Sequence, residues 1–119
     1  MQLMIIDDSP TMRKIIGVTL TNNGYSFIEA ENGQDALDKL AVNKIDLFIV
    51  DINMPVMNGI DFVKNVRKLP AYAKTPIIIL TTETEKNMMD KGKEAGADAW
   101  IIKPFESDEL AKLIKNYIK

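Results

Sequence analysis

Residues 47–59 read LFIVDINMPVMNG. Four apolar residues run straight into Asp51, and Pro55 and Gly59 follow. A strand with no polar face is covered on both sides, as strands inside parallel sheets are. The runs LMII at 3–6 and IIIL at 77–80 have the same character, and 26–29 and 99–102 complete a set of five. Amphipathic stretches fill the gaps. Residues 11–23 carry Met12, Ile15, Ile16 and Leu20 at helical spacing, closed by Gly24. Residues 33–42 carry Ala36, Leu37 and Leu40, and 60–69 carry Ile60, Val63 and Val66 with Pro70 beyond. A fourth helix is expected over 85–95, and a fifth over 107–118 with Leu110, Leu113, Ile114 and Ile118 on one face. Five strands alternating with five helices predict an α/β domain with a doubly wound parallel sheet. The 119 residues suit one domain spanning 1–119, with no room for a second and no output domain expected after it.

Composition narrows the chemistry. The chain is 46% apolar and 27% charged, ordinary for a globular protein. It has no cysteine, which removes disulfides, thiolate nucleophiles and cysteine-ligated metals. It has no histidine, which removes an imidazole base, a Ser-His pair and an internal phosphohistidine. Any metal must be held by oxygen, which points to magnesium, calcium or manganese. A net charge of -2, from 15 basic and 17 acidic residues, gives no footing for nucleic-acid binding. No apolar stretch approaches the roughly 18 residues of a membrane span. The opening MQLMIIDDSP reads as a first strand rather than a signal peptide, so a cytoplasmic location is expected.

Sites in open α/β sheets form beyond the carboxyl ends of the strands. There the chain places Asp7 and Asp8 after the first run, Asp51 after the third, Thr81 after the fourth and Lys103 after the fifth. Each alone has a plain reading. Asp8 or Ser9 can cap the first helix, Asp51 can bond its own turn, and Lys103 can be a solvated amine. Together they are harder to dismiss, because three carboxylates at one edge repel one another until a hard cation or a lysine intervenes. An ionised carboxylate can accept a phosphoryl group without a general base. The transferring group needs a cation, an ammonium and a hydroxyl around it. Asp51 is placed as acceptor, Asp7 and Asp8 as metal holders, and Thr81 and Lys103 as partners of the phosphoryl oxygens.

At these residues the chain resembles the receiver domains of response regulators, above all the free-standing regulators of chemotaxis. The motifs are IIDDSPTMRKI, DINMPVMNGIDF, IIILTTE and GADAWIIKPF, in family order across essentially the whole chain. The resemblance implies a flavodoxin-like (βα)5 fold with strand order 2-1-3-4-5. It implies Asp51 as phosphoacceptor and Mg²⁺ as the ion. Asp8, Asp51 and the backbone carbonyl of Asn53 would be its ligands, with Asp7 acting largely through water. It implies that Thr81 moves toward the phosphoryl group, that Lys103 pairs with it, and that the Lys103–Pro104 bond is cis. Trp100 stands where the family has a smaller ring that swings with Thr81; otherwise it packs over the fourth and fifth helices. Asn53 and Glu83 stand where the family tunes hydrolysis, or are ordinary polar surface. Gly59 is expected to serve a tight turn, and Gly92 to let its helix approach the sheet.

The implied donor is the phosphohistidine of a sensor histidine kinase, first of all a chemotaxis kinase. The implied output is a flagellar motor switch protein, with a phosphatase as a possible further partner, no nucleic acid, no membrane and a monomeric state. The chain would be no enzyme beyond catalysing its own phosphorylation and dephosphorylation. A phosphorelay intermediate or an adaptor in a non-flagellar pathway is the alternative. Two other classes fit less well. A phosphohydrolase reading finds DIN where a DxD pattern is wanted, and a bare binding module leaves the set Asp8, Asp51, Thr81 and Lys103 without a task. Flavin binding is opposed by the acidic first loop, DDSPT.

Overall fold

The apolar runs become strands because each finds a helix layer on both sides. The structure, a computed structural model, describes residues 1–82 and 86–118. In chain order the elements are β1 (Gln2–Ile6), α1 (Pro10–Asn22), β2 (Ser26–Ala30), α2 (Gly33–Lys39), β3 (Leu47–Val50) and α3 (Gly59–Arg67). A 3-10 turn (Pro70–Tyr72), β4 (Ile77–Thr81), α4 (Lys86–Ala95), β5 (Ala99–Ile102) and α5 (Ser107–Tyr117) follow. The five strands form one parallel sheet in the order β2-β1-β3-β4-β5. This is the expected doubly wound order.

Strand side chains alternate between two cores. Leu3, Ile5, Leu47, Ile49, Ile78, Leu80 and Ile101 meet Ile16 and Leu20 of α1 and Leu110 and Ile114 of α5. Met4, Ile6, Phe48, Val50 and Ile77 meet Ala36 of α2 and Phe62, Val63 and Val66 of α3. Ile79 faces a smaller cluster with Ile52, Ile60, Met88 and Trp100.

Among the described residues, side-chain caps start three helices. The Ser9 hydroxyl accepts from Met12 N–H at 3.2 Å, so Ser9, not Asp8, caps α1. Asn32 and Asn58 accept from Asp35 and Asp61 N–H at 2.8 and 2.9 Å. Helix α2 stops at Lys39, short of the expected residue 42. The Asn43 side chain bonds the Lys39 carbonyl at 3.0 Å, and Val42 has no face to pack on. Helix α3 ends at Arg67 because the 3-10 turn at Pro70 takes over. The start expected for the fourth helix, Glu85, lies outside the described residues. Among the described residues, no helix is long and apolar enough to cross a membrane.

Candidate functional site at the carboxyl edge of the sheet

The order 2-1-3 sends the chain from β1 and β3 to opposite faces, which opens a crevice between their ends. In register Ile6 lies beside Val50, so the next residues, Asp7 and Asp51, meet across that crevice. Asp7 N–H bonds the Ala30 carbonyl at 3.1 Å, and Asp51 N–H bonds the Ile6 carbonyl at 2.9 Å. The sheet thus carries both carboxylates on paired backbone. Thr81 ends β4, and its carbonyl takes Lys103 N–H at 2.8 Å, which brings the lysine from beyond β5. The Lys103–Pro104 peptide is cis, as the resemblance implied.

Lys103 Nζ lies 2.8 Å from Asp7 Oδ2 and 3.6 Å from Asp51 Oδ2. Asp7 Oδ1 accepts from Ser9 N–H at 2.9 Å. The Asp51 carboxylate accepts from the Thr81 hydroxyl and from Asn53 N–H. Asp7 and Asp51 are buried, at 2% and 8% exposure, while Asp8 is exposed at the mouth. One carboxylate oxygen from each of the three lies within 4.8 Å of the others. Burial pushes the Asp51 carboxyl above its ordinary 3.8; Lys103 pulls it back, and Asp7 adds to the rise.

One ammonium faces three carboxylates, so the cluster remains anionic. Its donors are all oxygen, and they converge from two strand ends. That is the donor set of a hard divalent cation, and the residues present fit one.

The structure brings together Asp7, Asp8, Asp51, Thr81 and Lys103. The Asn53 side chain is exposed at the rim while its N–H points to Asp51. Glu83 lies outside the described residues. Trp100 lies under α4: a Cβ added to Gly92 would fall 2.8 Å from Trp100 Cζ3 and 2.9 Å from Ile79 Cδ1. Gly92 therefore admits the indole and the close approach of the helix, as expected for that glycine. The indole Nε1 is buried without a hydrogen-bond partner among the described residues.

The tight turn expected of Gly59 belongs elsewhere. Gly59 is the first residue of α3, and a Cβ there would lie 2.2 Å from the Asp51 carbonyl oxygen. Its role is close approach. The turn closes around Val56, where Met57 N–H bonds the Pro55 carbonyl at 2.8 Å and Val56 takes φ 69°. Nothing in a β-branched residue announces a positive φ.

Two arginines were also missed. Arg13 Nη1 donates to the Asp7 carbonyl at 2.5 Å and its Nε to Glu29 Oε1 at 3.0 Å. Arg67 ties the carbonyls of Tyr72, Thr75 and Gly96 to the Asp98 carboxylate. The available signal for Arg13 was its position one helical turn after the Ser9 cap, within reach of the strand end.

The geometry defines a phosphoacceptor class of α/β domain, and comparison with known proteins agrees. The profile of the response regulator receiver domain matches residues 3–115, and the chain belongs to that family. The chemotaxis protein CheY homolog of Campylobacter jejuni is 41% identical, over 99% of this chain and 92% of its own length. Chemotaxis protein CheY1 of Helicobacter pylori is 42% identical, over 97% and 94%. The solved structure of chemotaxis response regulator CheY4 of Vibrio cholerae matches with a TM-score of 0.92 at 39% identity, covering 98% of each chain.

Proposed function

We propose that Asp51 takes a phosphoryl group from the phosphohistidine of a sensor kinase, with Mg²⁺ at the acidic cluster, and that the phosphorylated chain then binds a protein partner. The observation that carries this reading is the Asp51 carboxylate, bonded by the Thr81 hydroxyl, 3.6 Å from Lys103 Nζ and clustered with Asp7 and Asp8. In the transfer, the P–N bond of the donor breaks as a P–O bond to Asp51 forms. The electron pair leaves on the imidazole nitrogen, which then takes a proton from solvent. Asp51 needs no base, since it acts as the carboxylate. Lys103 and Thr81 are placed to meet the added oxygens, and crowding by Asp7 raises the energy of the free carboxylate before attack. By the resemblance, Asp8, Asp51 and the Asn53 carbonyl would hold Mg²⁺, with Asp7 acting through water, and the bound ion would neutralise charge on the transferring oxygens.

Phosphorylation adds charge and three acceptor oxygens at one buried point. Recruitment of Thr81 to one of them would free space behind β4, next to Trp100 and α4. Asn53, exposed at the rim, and by resemblance Glu83, which lies outside the described residues, would tune hydrolysis of the phosphoryl group. The resemblance to chemotaxis regulators supports a chemotaxis kinase as donor and the flagellar motor switch as partner.

The test is labelling by acetyl phosphate with Mg²⁺, read by intact mass, on the chain and on Asp51→Asn. A phosphoryl increment on the first and none on the second is expected; labelling of both would remove Asp51 as acceptor. Capture from source-cell lysate with the Mg²⁺–beryllofluoride form, against Asp51→Ala, addresses output. Recovery of a motor switch protein supports chemotaxis. Recovery of a histidine phosphotransfer protein instead would make the chain a relay.

A further inference from the structure

From the bonds around the peptide unit joining Asp7 to Asp8, and given the metal site just proposed, we infer that Arg13 is a positioning residue for that site. The two carboxylates hang from the two Cα atoms of this unit, so its orientation sets how they converge. Asp7 is anchored at its other polar groups: its N–H to Ala30, Oδ1 to Ser9 and Oδ2 to Lys103. Its carbonyl lies past the last paired residue of β1, where the sheet supplies no donor. Arg13 Nη1 supplies one at 2.5 Å.

The guanidinium is itself braced. Its Nε donates to Glu29 Oε1 on β2 at 3.0 Å, and the Arg13 side chain is only 16% exposed. A planar fork held at two points has little freedom left. Asp8 is where this matters most. Its carboxylate is exposed and makes no hydrogen bond among the described residues, so the peptide plane is what aims it. Hydrogen-bonded partners behind a metal ligand commonly change affinity by about 10- to 100-fold.

Charge alone predicts the reverse. Arg13 is a cation close to a cation site, and removing it would tighten metal binding if electrostatics were its only role. The sign therefore separates positioning from charge.

The experiment is Mg²⁺ titration by calorimetry on the full chain, Arg13→Met and Arg13→Lys, with folding checked by circular dichroism. Arg13→Met should raise the Mg²⁺ Kd about tenfold, the low end of that range. Arg13→Lys keeps the charge but can satisfy only one of the two acceptors, and should fall between; it carries the test alone if Arg13→Met does not fold. Acetyl phosphate labelling should return to the unmutated rate at saturating Mg²⁺, which a general loss of structure would not allow. A Kd unchanged or lowered in either variant, or labelling that stays slow at saturation, overturns the assignment. The unmutated chain separates this from the reading beneath it: no Mg²⁺ binding there removes the metal site itself.

Discussion

Replacing Gly59 by alanine tests how the fold shapes the loop after Asp51. The added Cβ would lie 2.2 Å from the Asp51 carbonyl oxygen and 2.9 Å from both Asp51 C and Ile52 Cα. Ordinary contact begins at 3.4 Å, so the oxygen is 1.2 Å too close. All three neighbours are backbone, and no rotamer change relieves them. The alternatives are to lift α3 or to push the loop outward. Lifting α3 disturbs Phe62, Val63 and Val66, which are fully buried. Pushing the loop stretches the 2.9 Å bond from Gly59 N–H to the Ile52 carbonyl. Overpacking costs about 1–3 kcal/mol and a weakened hydrogen bond about 1 more. Alanine's better helix propensity returns at most about 1. The expected net loss is about 3 kcal/mol. Urea unfolding should show it as a midpoint lower by about 2 M, for a slope near 1.5 kcal/mol/M. Gly24→Ala is the control: φ is 82° but nothing lies within 4 Å, so only left-handed strain of about 1–2 kcal/mol applies. Labelling by acetyl phosphate should also slow, because Asn53 N–H, which bonds Asp51, rides on the displaced loop. A Gly59→Ala loss below 1 kcal/mol, or one smaller than that of Gly24→Ala, would refute the reasoning.

Asp51→Asn should raise the urea midpoint at pH 7 without Mg²⁺. Burial lifts the Asp51 carboxyl above 3.8 despite the pull of Lys103, so the native state holds its proton where the unfolded chain has lost it. Asp51 thus favours folding below pH 3.8 and loses that contribution as pH rises through its folded pKa. The gain from Asn should be full above this window and close as pH falls toward 3.8, and a loss at pH 7 would contradict it. Arg67→Ala should cost about 3 kcal/mol or more in thermal or urea unfolding, since it strands three carbonyls and Asp98 together. Arg67→Lys should recover less than half, because one ammonium cannot replace the fork. Val56→Asn should stabilise by about 1 kcal/mol, as asparagine accepts positive φ better and Val56 is 82% exposed, with no packing to lose. An unchanged midpoint would mean the turn relaxes at no cost.

Much of this was legible before folding. LMII, LFIV and IIIL read as strands covered on both faces, and the residues that end them, Asp7, Asp51 and Thr81, do lie together at one edge. Spacing along the chain did not reveal Arg67, whose partners at Gly96 and Asp98 come from another loop. Nor did it reveal why position 59 is glycine: the atom it must avoid is the Asp51 backbone oxygen, and any sequence would present one. Val56 shows the same limit, since a valine's positive φ is imposed by its surroundings.

The periodic and chemical properties of the chain belonged to the sequence by itself. Apolar runs of strand length, helical stripes between them and polar residues at the run ends set the architecture and the inventory of the site, because burial acts on each segment through its own pattern. Tertiary structure alone decided the distances. Whether Lys103 sits 2.8 Å from Asp7 and 3.6 Å from Asp51, which carbonyl Arg13 holds, and whether Gly92 leaves room for Trp100 depend on how layers from distant segments pack. Such contacts are fixed to fractions of an ångström by close packing, and no local pattern encodes them.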